Sequence, residues 1–481
     1  MGSRGCCPGY QLDGSSPARG CTDKRYVTLS ESLPDESKSP GDGSRLVVAL
    51  NALINPANAG GSESSALSIV TNFRDAAPGN IDLYVTALPA YLQRMQAVRG
   101  DASRVISWPW PEFTTVSSEP TTAWGRRLRN RLGRGALGRA FDDVSRTVNE
   151  RAFLKRMPSR AEIDALLDGY GVEVAHFTYP VKWPTRRPYI FEPHDIQQHH
   201  FPEFFSADVL AWRRKAYGQG IRNAAFVVCG TWWTKRDIMR CYGVGADKVA
   251  VIPRSSTMAR AELSAEREAA EAAGAGLPDR FMFYPAMTFP HKNHLRLLEA
   301  IALLRDRQGL KLQLVCTGRA YAPFHPQIEA AVARLSLRDQ VRFLGVVSDD
   351  LLATCFRRCR FIVFPSLLEG HSQSLLEALW HHRPIVAAHQ SSIPETVGRA
   401  GLLFDGLDVD EMAEALARVW TDDGLMASLG QATQGSFDRY RWDRALVTLT
   451  ACYKAAAGRG LRADERAALD RALLPAKPAD G

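Results

Sequence analysis

Residues 361–388, FIVFPSLLEGHSQSLLEALWHHRPIVAA, decide how the chain is read. Phe361–Phe364 is an apolar run of strand length, and a polar loop containing a glycine follows it. A helix is predicted from near Ser374, stopping before Pro384, where Ile385–Ala388 begins another apolar strand. That order places Glu369 on a loop at a strand's carboxyl end and Glu377 in the first helical turn. In open α/β sheets, ligands bind in the crevice at this end of the strands. Loop and helix-start amides suit phosphate, while carboxylates accept hydrogen bonds from sugar and ribose hydroxyls. The segment therefore offers groups for both halves of a nucleotide-sugar. Ser374-Leu375-Leu376-Glu377 also spells a capping box, in which Glu377 would only satisfy a helix-start amide. Glu369 is harder to explain in that way, because a carboxylate beside a buried strand end needs a partner.

Outward from this segment, strand-like and helix-like runs alternate. The first series has strand candidates Leu46–Leu50, Ile81–Ala87, Val105–Trp108, Val172–Phe177, Tyr189–Phe191, Ala225–Cys229 and Val249–Ile252. The second has Phe281–Tyr284, Leu312–Thr317, Val341–Leu344, Phe361–Phe364, Ile385–Ala388 and Leu402–Phe404. Helical patterns such as Ser62–Phe73, Thr231–Tyr242, His294–Leu304 and Asp408–Trp420 lie between them. Continuously apolar strands alternating with helices indicate parallel sheets covered on both faces, so two doubly wound α/β domains are expected. Residues 1–43, rich in Gly, Ser, Pro and charge, read as a disordered tail. A first domain is expected over 44–260 and a second over 279–440, joined by the small-residue stretch Ala261–Pro278.

The chain has 481 residues, 45% hydrophobic and 23% charged, and exceeds one ordinary core. No apolar stretch approaches the roughly 20 residues that span a bilayer, and MGSRGCCPGYQLDGSS lacks the apolar region of a secretory signal. The nine cysteines lack metal-site spacing; Cys229, Cys316 and Cys359 sit in or beside apolar runs, as small core residues do. A reducing cytoplasm follows from that usage. Net charge is +8, compatible with phosphate-bearing ligands or an anionic membrane surface. From Arg126 to Arg160, eleven Lys or Arg face only Asp142, Asp143 and Glu150. In WGRRLRNRLGRGALGRAF, Trp124, Leu128, Leu132, Leu137 and Phe141 stand among these arginines, so residues 124–160 read as a peripheral membrane contact or a solvated helix face.

Three other loops carry chemistry. NPANAGGSESSALSIV sets Gly60 and Gly61 between the first strand and a helix, where backbone can approach an anion closely. It is not G-x-G-x-x-G, and no acidic ribose reader stands at the proper distance, so a dinucleotide site is not expected. In YIFEPHDIQQHHFPEFF, His194 follows an apolar strand; His199 and His200 read as solvated loop residues rather than metal ligands. In FMFYPAMTFPHKNHLRLLEAIALL, Lys292 is placed at a helix start, where a cation opposes the macrodipole unless an anion is present.

The segment Glu369–Glu377 resembles the E-x7-E motif of retaining glycosyltransferases of the GT-B fold, family 4, the group 1 glycosyltransferases. The resemblance runs from about Arg45 to about Lys454, and EALWHHRPIVAAHQSSIPETVGRAGLLFDGLDVDEMAEAL continues it. It implies an α/β GT-B architecture: two doubly wound, Rossmann-like, parallel-sheet domains facing a central cleft. The helix Arg441–Ala456 would cross back onto the first domain. By the same resemblance Gly60 and Gly61 face donor phosphates, Lys292 neutralises the leaving diphosphate, and His194 reaches the donor sugar. Glu369 orients sugar hydroxyls, Glu377 holds the ribose, and Gly370, His371, Ser372, Gln373 and Ser374 complete the donor loop. Two departures stand out: many members carry an Arg where this chain has Ala286, and E-G-F-G is replaced by Glu369-Gly370-His371-Ser372. Phosphate charge would then rest on Lys292, loop amides, or an Arg elsewhere such as Arg319.

The implied reaction moves a hexose, mannose or glucose, from a nucleoside diphosphate to a hydroxyl of a glycan or lipid-linked acceptor in polysaccharide or glycolipid synthesis. No cofactor and no obligatory metal are expected. A nucleotide-sugar epimerase of the same fold would act without an acceptor. A basic nucleic-acid-binding protein fits the charge, but the excess is local and no nucleic-acid motif is present.

Overall fold

A computed structural model of the chain describes residues 45–53, 61–76, 80–108, 158–255 and 263–475. The tail 1–43, Gly60 and nearly all of 124–160 lie outside the described residues. No described helix is long and apolar enough to cross a membrane.

Two parallel sheets organise the rest. The first comprises β1 (Leu46–Asn51), β2 (Ile81–Ala87), β3 (Val105–Ser107), β4 (Val174–Phe177), β5 (Tyr189–Phe191), β6 (Phe226–Cys229) and β7 (Val249–Val251), in the order β3-β2-β1-β4-β5-β6-β7. The second comprises β8 (Met282–Pro285), β9 (Leu314–Thr317), β10 (Val341–Phe343), β11 (Phe361–Phe364), β12 (Ile385–Ala388) and β13 (Gly401–Phe404), in the order β10-β9-β8-β11-β12-β13. Each is doubly wound, growing outward in both directions from its first strand. Each strand expected from sequence is present, within two residues at either end. The apolar runs explain this: β4, β9, β11 and β12 are buried along their whole length, as strands covered on both faces must be.

The first sheet packs apolar residues on both faces. One face, with Val48, Leu50 and Val70, also receives Trp442, Leu446, Leu449 and Tyr453 from the helix Trp442–Ala456. The Trp442 indole donates to the Ser255 carbonyl at 2.8 Å, pinning that helix beside the strand end after β7. The second sheet has its own core around Phe283, Ile301, Phe356, Ile362 and Leu416. The stretch expected to join the two domains contains a helix, Ala265–Gly274. Ser264 caps it, its alanines favour helix, and Glu268 pairs with Arg357 at 2.8 Å and Arg358 at 3.0 Å on the helix Asp349–Arg358.

Doubly wound sheets open a crevice where the winding reverses, at the carboxyl ends of the strands. In the second sheet that point lies between β8 and β11, which pair Phe361 with Met282 and Ile362 with Phe283. Lys292 lies on the chain leaving β8, and Glu369 on the chain leaving β11. The topology therefore brings two candidate residues together across 77 positions of sequence.

Candidate active site

Lys292 and Glu369 meet. The Lys292 ammonium donates to Glu369 Oε1 at 2.5 Å, and both side chains are mostly buried, at 17% and 10% exposure. Lys292 is not in the helix itself: it ends a tight turn, Pro290–Lys292, and the helix His294–Gln308 begins two residues later. The intervening Asn293 adopts a left-handed backbone, φ 61°, which asparagine tolerates. Its side-chain amide donates to the carbonyls of Pro365 (3.1 Å) and Gly406 (2.7 Å), tying the Lys292 turn to the Glu369 loop. Leu367 N–H donates to the His291 carbonyl at 2.8 Å in the same seam.

Glu377 lies elsewhere than the sequence suggested. The helix runs Gln373–Trp380, so Glu377 is its fifth residue, in the second turn rather than the first. Ser372 occupies the N-cap without a side-chain capping bond, and Ser374 Oγ donates to the Pro285 carbonyl at 3.0 Å. The capping-box reading therefore fails: the serine is engaged with β8, and Glu377 is one turn too far along. Burial pushes the Glu377 carboxyl up to about 8, with the nearby charge of Asp349 adding to the shift. Gln373 Oε1, buried at the same helix start, has no hydrogen-bond partner among the described residues.

His194 follows β5 in a left-handed conformation, φ 59°, uncommon for a side chain of this size. Its Nε2 donates to the Thr178 carbonyl at 2.6 Å, so in the neutral ring Nδ1 is the bare nitrogen. The second sheet's loop comes directly against it: a Cβ on Gly370 would lie 2.0 Å from the His194 carbonyl oxygen. Only glycine permits this approach. A second contact joins the Glu369 loop to the turn after β6: a Cβ on Gly230 would lie 2.2 Å from His371 Nδ1. His371 Nε2 donates to the Arg254 carbonyl at 2.6 Å, and burial pushes the ring down to about 4, leaving it neutral. The carboxyl ends of β5 and β6 thus face the loop that follows β11.

Sequence reasoning missed the buried charges behind this contact. Arg254 pairs with Glu192 and donates to Ser65 Oγ at 3.1 Å, on the helix Gly61–Ala76. Glu192 accepts from His176 at 2.9 Å, whose other nitrogen bonds the Tyr453 hydroxyl at 2.7 Å. Burial alone would raise the Glu192 carboxyl, but Arg254 and His176 outweigh it and hold the group well below its usual range. Arg254, through Ser65, Glu192 and its own carbonyl, joins the helix Gly61–Ala76, the His194 loop and His371. A charged residue ending each of the runs YIFE and VIPR was the available signal. His200, expected in solvent, bonds Asp237 at 2.7 Å, whereas His199 is exposed. Among the described residues no group of three or more His, Cys, Asp or Glu could hold a metal ion.

Comparison with known proteins gives the family of the chain. The family described as "Glycosyl transferases group 1" matches residues 278–422, and "Glycosyltransferase Family 4" matches residues 92–255. The chain belongs to the group 1 glycosyltransferases of the GT-B fold. The O-antigen chain mannosyltransferase B of Escherichia coli is 25% identical over 271 residues, 54% of this chain and 68% of that one. The D-inositol 3-phosphate glycosyltransferase of Streptomyces bingchenggensis is 29% identical over 236 residues, 47% of this chain and 51% of that one. Anabaena HepE, solved in complex with UDP and glucose, superposes with a TM-score of 0.61 over 85% of this chain and 100% of its own, at 17% identity. That last likeness concerns the fold of this group 1 glycosyltransferase.

Proposed function

We propose that this chain transfers a hexose, mannose or glucose, with retention of configuration, from a nucleoside diphosphate to a hydroxyl of a glycan or lipid-linked acceptor. The observation that carries the reading is the meeting of Lys292 and Glu369 at the switch point of the second sheet, beside the Glu377 helix. An ammonium suits a diphosphate, and carboxylates accept from sugar and ribose hydroxyls. The relatives named as mannosyltransferases support mannose as the first donor to try.

In this reading the donor lies on the second sheet and the acceptor on the first. The acceptor oxygen bonds to the anomeric carbon on the face from which the diphosphate departs. The carbon–oxygen bond to phosphate breaks, its electron pair stays on the phosphate oxygen, and that oxygen takes the acceptor's proton. Lys292 stabilises the departing charge, and positioning supplies much of the remaining rate. Arg319 supplements Lys292 in this reading: it follows Gly318, whose Cβ position would lie 2.8 Å from the backbone of Ala286, on the chain leaving β8 toward Lys292. No metal is assigned to the phosphates, and residues 124–160 hold the enzyme at an anionic membrane surface near a lipid-linked acceptor.

Incubation with a panel of nucleotide-sugars tests the reading, with thermal shift reporting donor binding. Anomeric analysis of the transferred sugar reports retention. Donor consumption without an acceptor, giving an epimer, would replace transferase by epimerase. An inverted product would overturn retention alone.

A further inference from the structure

Three segments meet where the two sheets face each other. One is the turn after β6, Gly230–Thr234, which opens the helix Trp232–Tyr242. The others are the loop Glu369–His371 and the segment Ser391–Glu395, which opens the short helix Ile393–Val397. Glu395 reaches across: its two carboxylate oxygens accept from the amides of Trp232 (2.8 Å) and Trp233 (2.9 Å). Those are the first two residues of their helix, whose amides have no acceptor within it, and a carboxylate also suits the positive end of the helix dipole. Thr231 and Thr234, each 1% exposed, reach the other way, and both hydroxyls donate to the Gly370 carbonyl, at 2.9 and 2.7 Å.

The same short segment of the second sheet holds Glu369 by its backbone. Glu369 N–H donates to Ser391 Oγ at 2.8 Å, and its carbonyl accepts from Ser392 Oγ at 2.8 Å. Glu395 is therefore coupled to Glu369 through Ser391 and Ser392, and the two threonines are coupled to it through Gly370. On the far side, Gly370 abuts the His194 carbonyl with no room for a side chain. Moving the turn after β6 relative to the second sheet would shift Glu369 against His194.

We propose that Thr231, Thr234 and Glu395 are positioning residues for the transfer. They fix the Glu369 loop against His194 across the cleft, and so set the spacing between the carboxylate and the histidine that flank the sugar. This rests on the assignment of the donor to the Lys292–Glu369 mouth. None of the three touches the donor; they act by preventing relative motion of the two groups that do. Displacements of about 1 Å at a reacting centre lower rates by on the order of 100-fold. A loosened contact also admits water, which diverts donor into hydrolysis.

The test compares the Thr231→Val/Thr234→Val pair, Glu395→Gln and the Thr231→Ser/Thr234→Ser pair with the unaltered chain. Turnover, donor KM, the ratio of hydrolysis to transfer, and thermal melting are measured on each. The valine pair keeps shape and removes both hydroxyls. Its kcat should fall about 10- to 100-fold with donor KM little changed, and hydrolysis should take a larger share. The serine pair keeps the hydroxyls and should restore kcat and the hydrolysis ratio. If the valine pair does not fold, Glu395→Gln, which keeps an acceptor for one amide, carries the comparison with the same expected direction. Folded variants with unaltered kcat and hydrolysis ratio would overturn the proposal, as would a serine pair that fails to restore them. An unaltered chain that uses no donor in the panel would instead overturn the donor assignment, before any variant is compared.

Discussion

Glu377→Gln separates a ligand-binding carboxylate from a structural one by the sign of its effect on the ligand-free protein. The Glu377 carboxyl makes no side-chain hydrogen bond among the described residues, and burial holds its pKa at about 8 against an ordinary 4.5. The folded chain therefore binds this proton more tightly than the unfolded chain does. Stability from this group is fully present below pH 4.5 and is lost as pH rises to about 8, where folding must ionise a desolvated carboxyl. The full shift of 3.5 units (8 minus 4.5) would correspond to about 5 kcal/mol at 1.36 kcal/mol per unit. Glu377 is only half-buried, so solvent screening reduces this to about 1–3 kcal/mol.

Glutamine carries no charge to desolvate. The variant should therefore be more stable than the parent at pH 8.5 by about 1–3 kcal/mol, with the gain vanishing near pH 4.5. Donor binding should move the other way. A ribose diol donates to the ionised carboxylate, so donor affinity of the parent should rise between pH 6 and 9, while that of the variant should be lower and flat. Thermal melts across pH, with and without donor, read both quantities. A variant destabilised at high pH, or one with unchanged donor affinity at pH 8.5, would refute the reasoning and return Glu377 to a structural role.

Lys292→Ala should lower kcat/KM by about 30- to 900-fold, the equivalent of about 2–4 kcal/mol of lost phosphate stabilisation, in a chain that still folds; near-normal turnover would sink the phosphate assignment. Arg319→Ala should weaken the donor by about 10-fold, the scale of one charged hydrogen bond, and an unchanged donor Kd would leave Lys292 and the loop amides as the phosphate contacts. On the proposed reading transfer should survive EDTA, with Lys292 and loop amides carrying the phosphate charge; complete loss restored by manganese or magnesium would reverse that expectation. Sedimentation with acidic vesicles should occur at low salt and disappear at high salt, and no binding at low salt would leave residues 124–160 as a solvated face.

The sheets were legible because most strands are apolar-rich runs between loop signals, and in β9, β11 and β12 burial along the whole length leaves that pattern no competitor. Helix starts were less so. Ser374 and Glu377 have capping-box spacing, yet the Ser374 hydroxyl bonds Pro285, a partner 89 positions away that local sequence cannot show. The helix Ala265–Gly274 was hidden by its own composition: small residues read as a linker, although Ser264 and the alanines specify a helix. Candidate residues on single loops could be named from their position after strands. Their pairings could not, since Lys292–Glu369, Arg254–Glu192 and Glu395–Trp232 each depend on topology. The Gly370 and Gly230 contacts show the same limit, because a glycine's role here is the space it leaves to a loop from the other sheet.

The Lys292–Glu369 pair bears on how such a site stays occupied and yet available. Left apart, a buried ammonium and a buried carboxylate would each carry an uncompensated desolvation cost of several kcal/mol. Together they satisfy one another, but desolvation offsets most of their attraction, so the pair itself contributes little net stability. On the proposed reading, a donor brings a diphosphate for Lys292 and hydroxyl donors for Glu369, so neither charge loses compensation when the pair opens. Two negative phosphates outbid a single carboxylate for the ammonium, while the freed carboxylate gains hydrogen bonds it cannot make to lysine alone. The pair thus holds both side chains near the positions a nucleotide-sugar would use, at small energetic cost, until one arrives.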